Sequence, residues 1–235
     1  MEMYERLQNV KNRLEAALKR SRHGQKSIQV IGVSKAHSVN LIRQLAQMGF
    51  LSFGENYAQE LLAKAPLCAG LGIRWHFIGK LQSNKIKFLL PFVSSIDSVD
   101  SLELAKKIER MNEQSDVPKE KVSIMLQVNV GHERQKSGLP PNVIEDLFPE
   151  FLAIKSLSLD GLMCIPPYHQ EAEKLRPYFQ EMKELFDRLQ KRFPEATSFK
   201  HLSMGMSQDF EVAIEEGATM VRLGEAIFGP RPVKE

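Results

Sequence analysis

The chain has 235 residues, of which 43% are hydrophobic, a length and composition that suit one sizeable domain or at most two small ones. Its formal net charge of +3 at pH 7 gives no reason to expect nucleic acid as a main partner. Two cysteines are too few for a disulfide framework, six scattered histidines show no metal-ligand spacing, and no apolar run is long enough to cross a membrane. The N-terminus lacks the apolar core of a signal peptide, so we expect a cytoplasmic protein without a resident metal.

Strand-like and helical segments alternate along the chain after an opening amphipathic helix. That helix carries apolar side chains at steps of three or four between Met3 and Leu18, which places them on one helix face. Strands are predicted over residues 29–35, 50–54, 74–79, 94–98, 122–130, 157–165, 198–204 and 219–223. Helices are predicted behind the first seven of them, over residues 39–48, 57–65, 84–90, 101–111, 143–154, 171–192 and 209–216.

Eight strands separated by helices predict a (β/α)8 barrel, a TIM barrel, with an extra N-terminal helix. A doubly wound sheet produces the same alternation. The count of eight and the lack of a GxGxxG turn after the first strand favour the barrel. No low-complexity linker interrupts the pattern, so we expect a single domain over residues 1–235.

Lys35 ends the first predicted strand, a run of apolar and β-branched residues typical of a buried strand. Barrels and open α/β sheets keep their chemistry at the carboxyl edge, where this lysine would lie. If the aliphatic part of the Lys35 side chain is packed, its amine is partly desolvated. Desolvation favours the neutral amine, which is a nucleophile toward aldehydes. A strand-end lysine that extends to water is the alternative interpretation.

The loops after the seventh and eighth strands have the composition of a phosphate site. Gly205 and Gly224 allow backbone amides to approach an anion, and Ser203 can add a hydroxyl donor. Ser207 either contacts the ligand or caps the helix that follows. Arg222 points either into the barrel mouth or outward into a structural salt bridge.

Strands one and eight are neighbours in a closed barrel, so a reactive amine and a phosphate site would face the same ligand. An aldehyde-bearing phosphorylated cofactor would fit both ends. Pyridoxal 5′-phosphate (PLP) has both groups, and an arginine is a known type of partner for its ring nitrogen.

Eight ordered motifs carry a resemblance that runs nearly end to end. They are VSK at 33–35, FGENY at 53–57, WHFIGKLQSNK at 75–85, QVN at 127–129, KSG at 136–138, GLM at 161–163, HLSMGMS at 201–207 and VRLGEAIFG at 221–229. In these the chain strongly resembles the pyridoxal phosphate homeostasis proteins of the YggS and PROSC type.

The resemblance implies a barrel like the N-terminal domain of bacterial alanine racemase. It implies that Lys35 carries PLP as an internal aldimine and that Arg222 faces the pyridine nitrogen. An arginine there keeps the nitrogen unprotonated and weakens the ring as an electron sink. It also implies that Ser203, Gly205 and Gly224 help to hold the phosphate.

Other residues also lie at positions that match the family, but the resemblance implies less about their roles. Asn56 and His76 match positions that line the cofactor site, so we assign them cofactor contact. Lys136 matches a family lysine, which could contact the cofactor, serve as a second acceptor or stay solvated. Cys164 stands where many relatives have a small residue, and we interpret it as a buried structural thiol.

The resemblance leaves a carrier and an enzyme as competing functions. A racemase needs acid–base groups on both faces of the substrate carbon, and in alanine racemases the second base is a tyrosine from the C-terminal domain of the partner subunit. The chain ends at Glu235, so we expect that domain and its dimer interface to be missing. Tyr57 and Tyr168 lie near predicted strand ends without an evident activating base.

We therefore expect a non-catalytic, monomeric PLP-binding protein that buffers, protects or delivers the cofactor. PLP-dependent apo-enzymes are then its expected protein partners, and nucleic acid and membranes are not. An amino-acid racemase is the alternative. A sugar-phosphate barrel enzyme that uses Lys35 as an aldolase-type residue is a third hypothesis.

Overall fold

The computed structural model describes residues 2–116, 118–133 and 137–230. Within these ranges eight parallel strands form a closed barrel in sequence order, and the first strand pairs with the eighth. The strands are β1 Gln29–Val33, β2 Ser52–Glu55, β3 Arg74–Phe77, β4 Val93–Val99, β5 Val122–Val128, β6 Leu157–Cys164, β7 His201–Ser203 and β8 Met220–Leu223. The predicted (β/α)8 barrel is confirmed.

The helices surround this barrel. They are α1 Met3–Arg20, α2 Val39–Gln47, α3 Ala58–Lys64, α4 Ile86–Leu89, α5 Leu102–Glu113, α6 Pro141–Leu152, α7 Arg176–Arg192, α8 Phe210–Glu215 and α9 Glu225–Phe228. Three differ clearly from the sequence prediction. The helix predicted over residues 84–90 begins as the 3-10 turn Ser83–Lys85, and its α-helical part is only Ile86–Leu89. The helix predicted from residue 171 begins as the 3-10 turn Ala172–Leu175, because Pro177 fits the first turn of the helix that follows. The four-residue α9 was not predicted.

Two apolar clusters fill the described part of the structure. The larger one lies between the strands and the helices and contains phenylalanines from several elements, among them Phe148, Phe179 and Phe199. The smaller one joins the side chains of Ile31, Met125, Met163 and Met220, which come from β1, β5, β6 and β8. Because these four strands lie around one barrel and their cluster is separate from the helix-facing core, the smaller cluster packs the barrel interior.

The extra N-terminal helix is confirmed, and it packs on the last two helices. Val10 and Ala17 are buried on its inner face, and its neighbours are α8 and α9. Arg13 Nε lies 2.6 Å from Glu211 Oε1, and Arg6 Nε donates a 2.8 Å hydrogen bond to the carbonyl of Ile227. This helix therefore holds the elements that follow β7 and β8.

In the described part of the chain, no helix combines the length and apolar composition that a bilayer crossing requires. Over the same ranges, no three His, Cys, Asp or Glu side chains come together as a metal-binding group.

Candidate functional site

A cavity of about 320 Å³ opens at the carboxyl ends of the strands. Val33 and Lys35 line it from the end of β1, and Arg222 and Gly224 line it from β8. Glu225, the first residue of α9, follows Gly224 in the wall. The remaining walls come from the segments after β6 and β7, and they are formed by Ile165, Pro166, Pro167, Tyr168, His169, Leu175, Met206, Ser207, Gln208 and Asp209. The structure therefore brings together the predicted lysine, the predicted arginine and one of the predicted glycines.

Lys35 lies in a tight turn directly after β1. Ser34 N–H donates to the carbonyl of Gly54 at 3.0 Å, which continues the pairing with β2, and His37 N–H donates to the carbonyl of Ser34 at 3.0 Å, which closes the turn. Ala36 has φ = +64°, a left-handed conformation that is costly for a residue with a Cβ. The Lys35 side chain is half-buried.

A buried ionic cluster lies behind this turn, and we call it the Lys64 network: Ser34, Glu55, Glu60 and Lys64. Lys64 Nζ donates to Ser34 O at 2.8 Å, Glu55 Oε1 at 2.8 Å and Glu60 Oε2 at 2.6 Å. Ser34 Oγ donates to Glu55 Oε1 at 2.6 Å. Burial raises the pKa of the Glu55 carboxyl, and hydrogen bonds from Lys64 and Ser34 act in the opposite direction.

Arg222 points into the barrel mouth and is almost fully buried. Its Nη1 donates to both the carbonyl and the Oγ of Ser203 at 2.8 Å, and its Nη2 donates to the carbonyl of Cys164 at 2.7 Å. Burial lowers the pKa of the guanidinium, while nearby Asp97 and Asp209 favour its charged form; an arginine keeps its charge under such conditions. The three hydrogen bonds hold this cation at a fixed place in the cavity wall.

The predicted phosphate residues have different structural roles. Gly205 has φ = +95°, and a Cβ there would lie 2.7 Å from the Cβ of Ala213, so the fold itself requires glycine. A Cβ on Gly224 would meet only Val33, at 3.6 Å or more, so packing does not require glycine there. Ser203 is buried and holds Arg222, and Ser207 Oγ accepts a 3.2 Å hydrogen bond from Ala226 N–H at the start of α9.

Cys164 has its thiol fully buried beside this site. Burial raises the pKa of the thiol to about 12, and the positive charge of Arg222 opposes that rise. A thiol of this kind carries almost no thiolate at neutral pH. The sequence-based interpretation as a structural thiol agrees with this burial.

Asn56 and His76 do not line the Lys35 cavity. Asn56 lines a separate cavity of about 600 Å³ beside Lys80 and Lys85, and its Oδ1 is buried without a hydrogen-bond partner among the described residues. His76 pairs in register with Ser95 early in β4, so its side chain faces a cavity of about 420 Å³ at the amino-terminal end of the barrel. Its Nδ1 lies 3.1 Å from Asp97 Oδ2.

Two parts of the site were not predicted from the sequence, and one predicted residue lies outside the description. The Lys64 network was missed, although the i,i+4 spacing of Glu60 and Lys64 was a visible signal of an ion pair. The loop after β6 was missed because nothing in its proline-rich sequence points to a ligand. Lys136 falls in the undescribed range 134–136.

The fold and the cavity define a barrel of the alanine racemase type, with a lysine after β1 and an anchored arginine on β8. Residues 6–232 match the family described as alanine racemase, N-terminal domain. At higher similarity, the chain is 41% identical over 231 residues to the pyridoxal phosphate homeostasis protein of Aquifex aeolicus (strain VF5), covering 98% of this chain and 99% of that one. The chain belongs to the pyridoxal phosphate homeostasis protein family.

Two solved structures put this membership in a structural context. PipY of Synechococcus elongatus PCC7942, solved with PLP bound, superposes with a TM-score of 0.84 at 31% identity and covers 97% of this chain and 100% of its own. Alanine racemase of Clostridium difficile 630 superposes with a TM-score of 0.73 at 19% identity, over 99% of this chain and 60% of the enzyme. At that identity, the likeness to the racemase shows the fold alone.

Proposed function

We propose that this protein binds PLP in the Lys35 cavity and serves PLP homeostasis by holding and releasing the cofactor, without catalysing a reaction of its own. One observation carries the proposal: Lys35, Arg222 and Gly224 line the same cavity. The PLP-bound relative at 31% identity supports it.

The residues of this cavity fit the cofactor. Gly224 leaves space that no neighbouring side chain fills, and such space allows the backbone to approach a phosphate closely. Arg222 supplies a fixed cation. When bound, PLP supplies an aldehyde that a lysine amine can attack.

The roles of the chain's own residues follow from their surroundings. Lys35 presents its amine from a turn whose backbone is hydrogen-bonded to β2. Arg222 is tied to Ser203 and Cys164, and a fixed cation disfavours protonation of a basic nitrogen placed beside it. With that nitrogen unprotonated, bound PLP would be a weaker electron sink.

The location, partners and assembly are part of the same proposal. We propose that the protein acts in the cytoplasm as a monomer and passes PLP to apo-enzymes. The two cysteines, Cys68 and Cys164, are buried as free thiols, which is typical of proteins in a reducing compartment.

The experiment that tests the cofactor site is chemical trapping on Lys35. Purified protein mixed with PLP should absorb near 400 nm (roughly, as a lysine adduct does), and borohydride should fix the cofactor to Lys35 in a peptide map. Lys35→Ala should lose most of the bound cofactor. Lys80→Ala, which changes a lysine of the neighbouring cavity, is the matched control and should bind as wild type.

A peptide map that places the adduct on another lysine of the wild-type protein would overturn the assignment of Lys35. Lys136 is the substitute to examine if Lys35→Ala still traps PLP. Absence of any PLP binding by the wild type would overturn the proposed function itself.

A further inference from the structure

Lys64 has an unusual position for a lysine. It is the last residue of α3, is only 8% exposed, and places its ammonium among three oxygen acceptors. A lysine is almost never buried unless its charge is paired. Here the pairing partners are the carboxylates of Glu55 and Glu60, together with the backbone carbonyl of Ser34.

The Lys64 network contacts the chain on both sides of Lys35. On the preceding side, the carbonyl of Ser34 accepts from Lys64, and its hydroxyl donates to Glu55. On the following side, Ala36 N–H donates to Glu60 Oε2 at 2.8 Å. The same carboxylate oxygen accepts from Lys64, so one ammonium links the two residues that flank Lys35.

The turn that presents Lys35 needs such support. The left-handed conformation of Ala36 costs on the order of 1 kcal/mol relative to an ordinary backbone conformation. Strained backbone of this kind persists only where the surroundings determine it. On the opposite side, the ring of His37 stacks on Phe228 with centroids 4.7 Å apart, so the turn is held between the Lys64 network and α9.

Stability alone does not explain the network. Apolar residues of similar volume often replace a buried ion pair at no cost or with a gain in stability. The network is also incompletely satisfied, because Glu55 Oε2 is buried without a hydrogen-bond partner among the described residues. The Lys64 network is costly, yet it fixes the residues on both sides of Lys35. We therefore attribute the network to the placement of Lys35.

We propose that Lys64, with Glu55 and Glu60, is a positioning residue that fixes the turn Ser34–His37 and so aims the Lys35 amine into the cavity. This inference rests on the proposed function, because the cavity is where the cofactor would lie. Lys64 does not contact the cofactor in this scheme. It acts through the backbone on either side of Lys35.

The test compares Lys64→Met with wild type. The variant should fold, weaken PLP binding about tenfold, and slow the capture of PLP by Lys35, since loss of orientation lowers the effective concentration of a reacting group. In the protein without PLP, the amides of Ala36 and His37 should exchange with deuterium faster than in wild type. That second readout depends on the turn and not on the cofactor.

Two further variants make the result decisive. Lys119→Met is the matched control. Like Lys64, Lys119 is partly buried and donates to a backbone carbonyl, that of Val93. It lies before β5, at the other end of the barrel. Glu60→Ala removes the acceptor of Ala36 N–H at a position whose side chain is 30% exposed. It should fold even if Lys64→Met does not, and should speed exchange at Ala36.

The outcomes separate the inference from the function on which it rests. If Lys64→Met and Glu60→Ala bind PLP and exchange at residues 36 and 37 like wild type, the positioning role is wrong and the function stands. If wild type does not bind PLP, the function fails, while amide exchange still reports on the turn. If Lys119→Met weakens binding as much as Lys64→Met, the effect is one of general stability and the inference is overturned.

Discussion

Cys164 contributes to the site through its backbone and not through its thiol. Its carbonyl accepts a hydrogen bond from Arg222, while its side chain is fully buried. The position therefore requires a residue that fits the buried space and leaves the carbonyl where it is. A sulfur atom is compatible with that requirement but is not needed for it.

The thiol of Cys164 makes stability sensitive to alkaline pH. Its pKa is raised by burial to about 12 from an ordinary value of about 9. Between these values the unfolded chain loses the thiol proton while the folded chain keeps it. The free energy of unfolding then falls with rising pH, by about 1.4 kcal/mol per pH unit from this group. Stability from this source is fully present below pH 9.

Urea unfolding of wild type and Cys164→Ala, in reductant at pH 9.5 and 10.5, measures that contribution. We expect wild type to lose about 1.4 kcal/mol more than the variant between the two pH values, because all other titrating groups are shared. Cys164→Ser should follow Cys164→Ala, since a serine hydroxyl does not titrate in this range. Parallel losses in all three proteins would contradict the buried-thiol assignment.

At the scale of elements, α1 supports the site from outside the barrel. It packs on α8 and α9 and forms ion pairs with Glu211 and Glu215 of α8. The loops that precede α8 and α9 line the Lys35 cavity. The first helix of the chain is thus coupled to the last two strands of the barrel.

Val10→Ala tests this coupling. Loss of two buried methyl groups on the inner face of α1 should cost about 1 to 2 kcal/mol. Hydrogen–deuterium exchange should rise in α8 and α9 and stay unchanged in α5 and α6, which lie elsewhere on the barrel. Ile108→Val, a buried truncation within α5, is the control and should leave α8 and α9 unchanged. Equal effects of both variants on α8 would argue against a specific coupling.

Element boundaries show where sequence patterns stop being informative. The seventh strand was predicted over residues 198–204, but it spans only His201–Ser203. The apolar Phe199 extended the pattern, although it packs against Phe148 and Phe186 in the core outside any strand. Helix α9 has four residues, which is too few for a helical period to appear in the sequence.

For the whole molecule, the alternation of strands and helices predicted the barrel, and barrel closure then predicted that Lys35 and Gly224 meet at one end. The direction of Arg222 was left open by the residues and was predicted from the family resemblance alone. His76 shows the limit of that logic. Its residue type and neighbours are compatible with either end of the barrel, and the end that it faces depends on strand register, which is a property of the folded sheet. The Lys64 network likewise forms only where the end of β1, β2 and α3 meet in the folded barrel.

Among the described residues, the cavity is open to solvent at this end of the barrel. Tyr168 is 78% exposed, and Met206 and Ile165 at the rim are more than one-third exposed. Asp209, an acid in its wall, accepts a hydrogen bond from Met206 N–H, and burial raises the pKa of its carboxyl. Such an opening admits water, whereas racemisation needs a protected site with acid–base groups on two faces.

We therefore expect the PLP-loaded protein to exchange no α-proton of L-alanine in deuterated water above the rate of free PLP. Proton NMR of the recovered amino acid measures the exchange, with an alanine racemase as the positive control. Exchange that saturates with alanine concentration and disappears in Lys35→Ala would assign the protein to the racemases instead.

The pairing of β1 with β8 also has a consequence for how the protein is made. The strand that ends at Val33 finds its second neighbour only when Leu223 has been synthesised, 190 residues later. At about 5 to 20 residues per second, that interval is roughly 10 to 40 s. Throughout it, one edge of β1 lacks its partner, and such edges are where nascent chains associate wrongly. In the ribosome-bound chain, this edge of the first strand therefore stays open to wrong pairing until β8 has emerged.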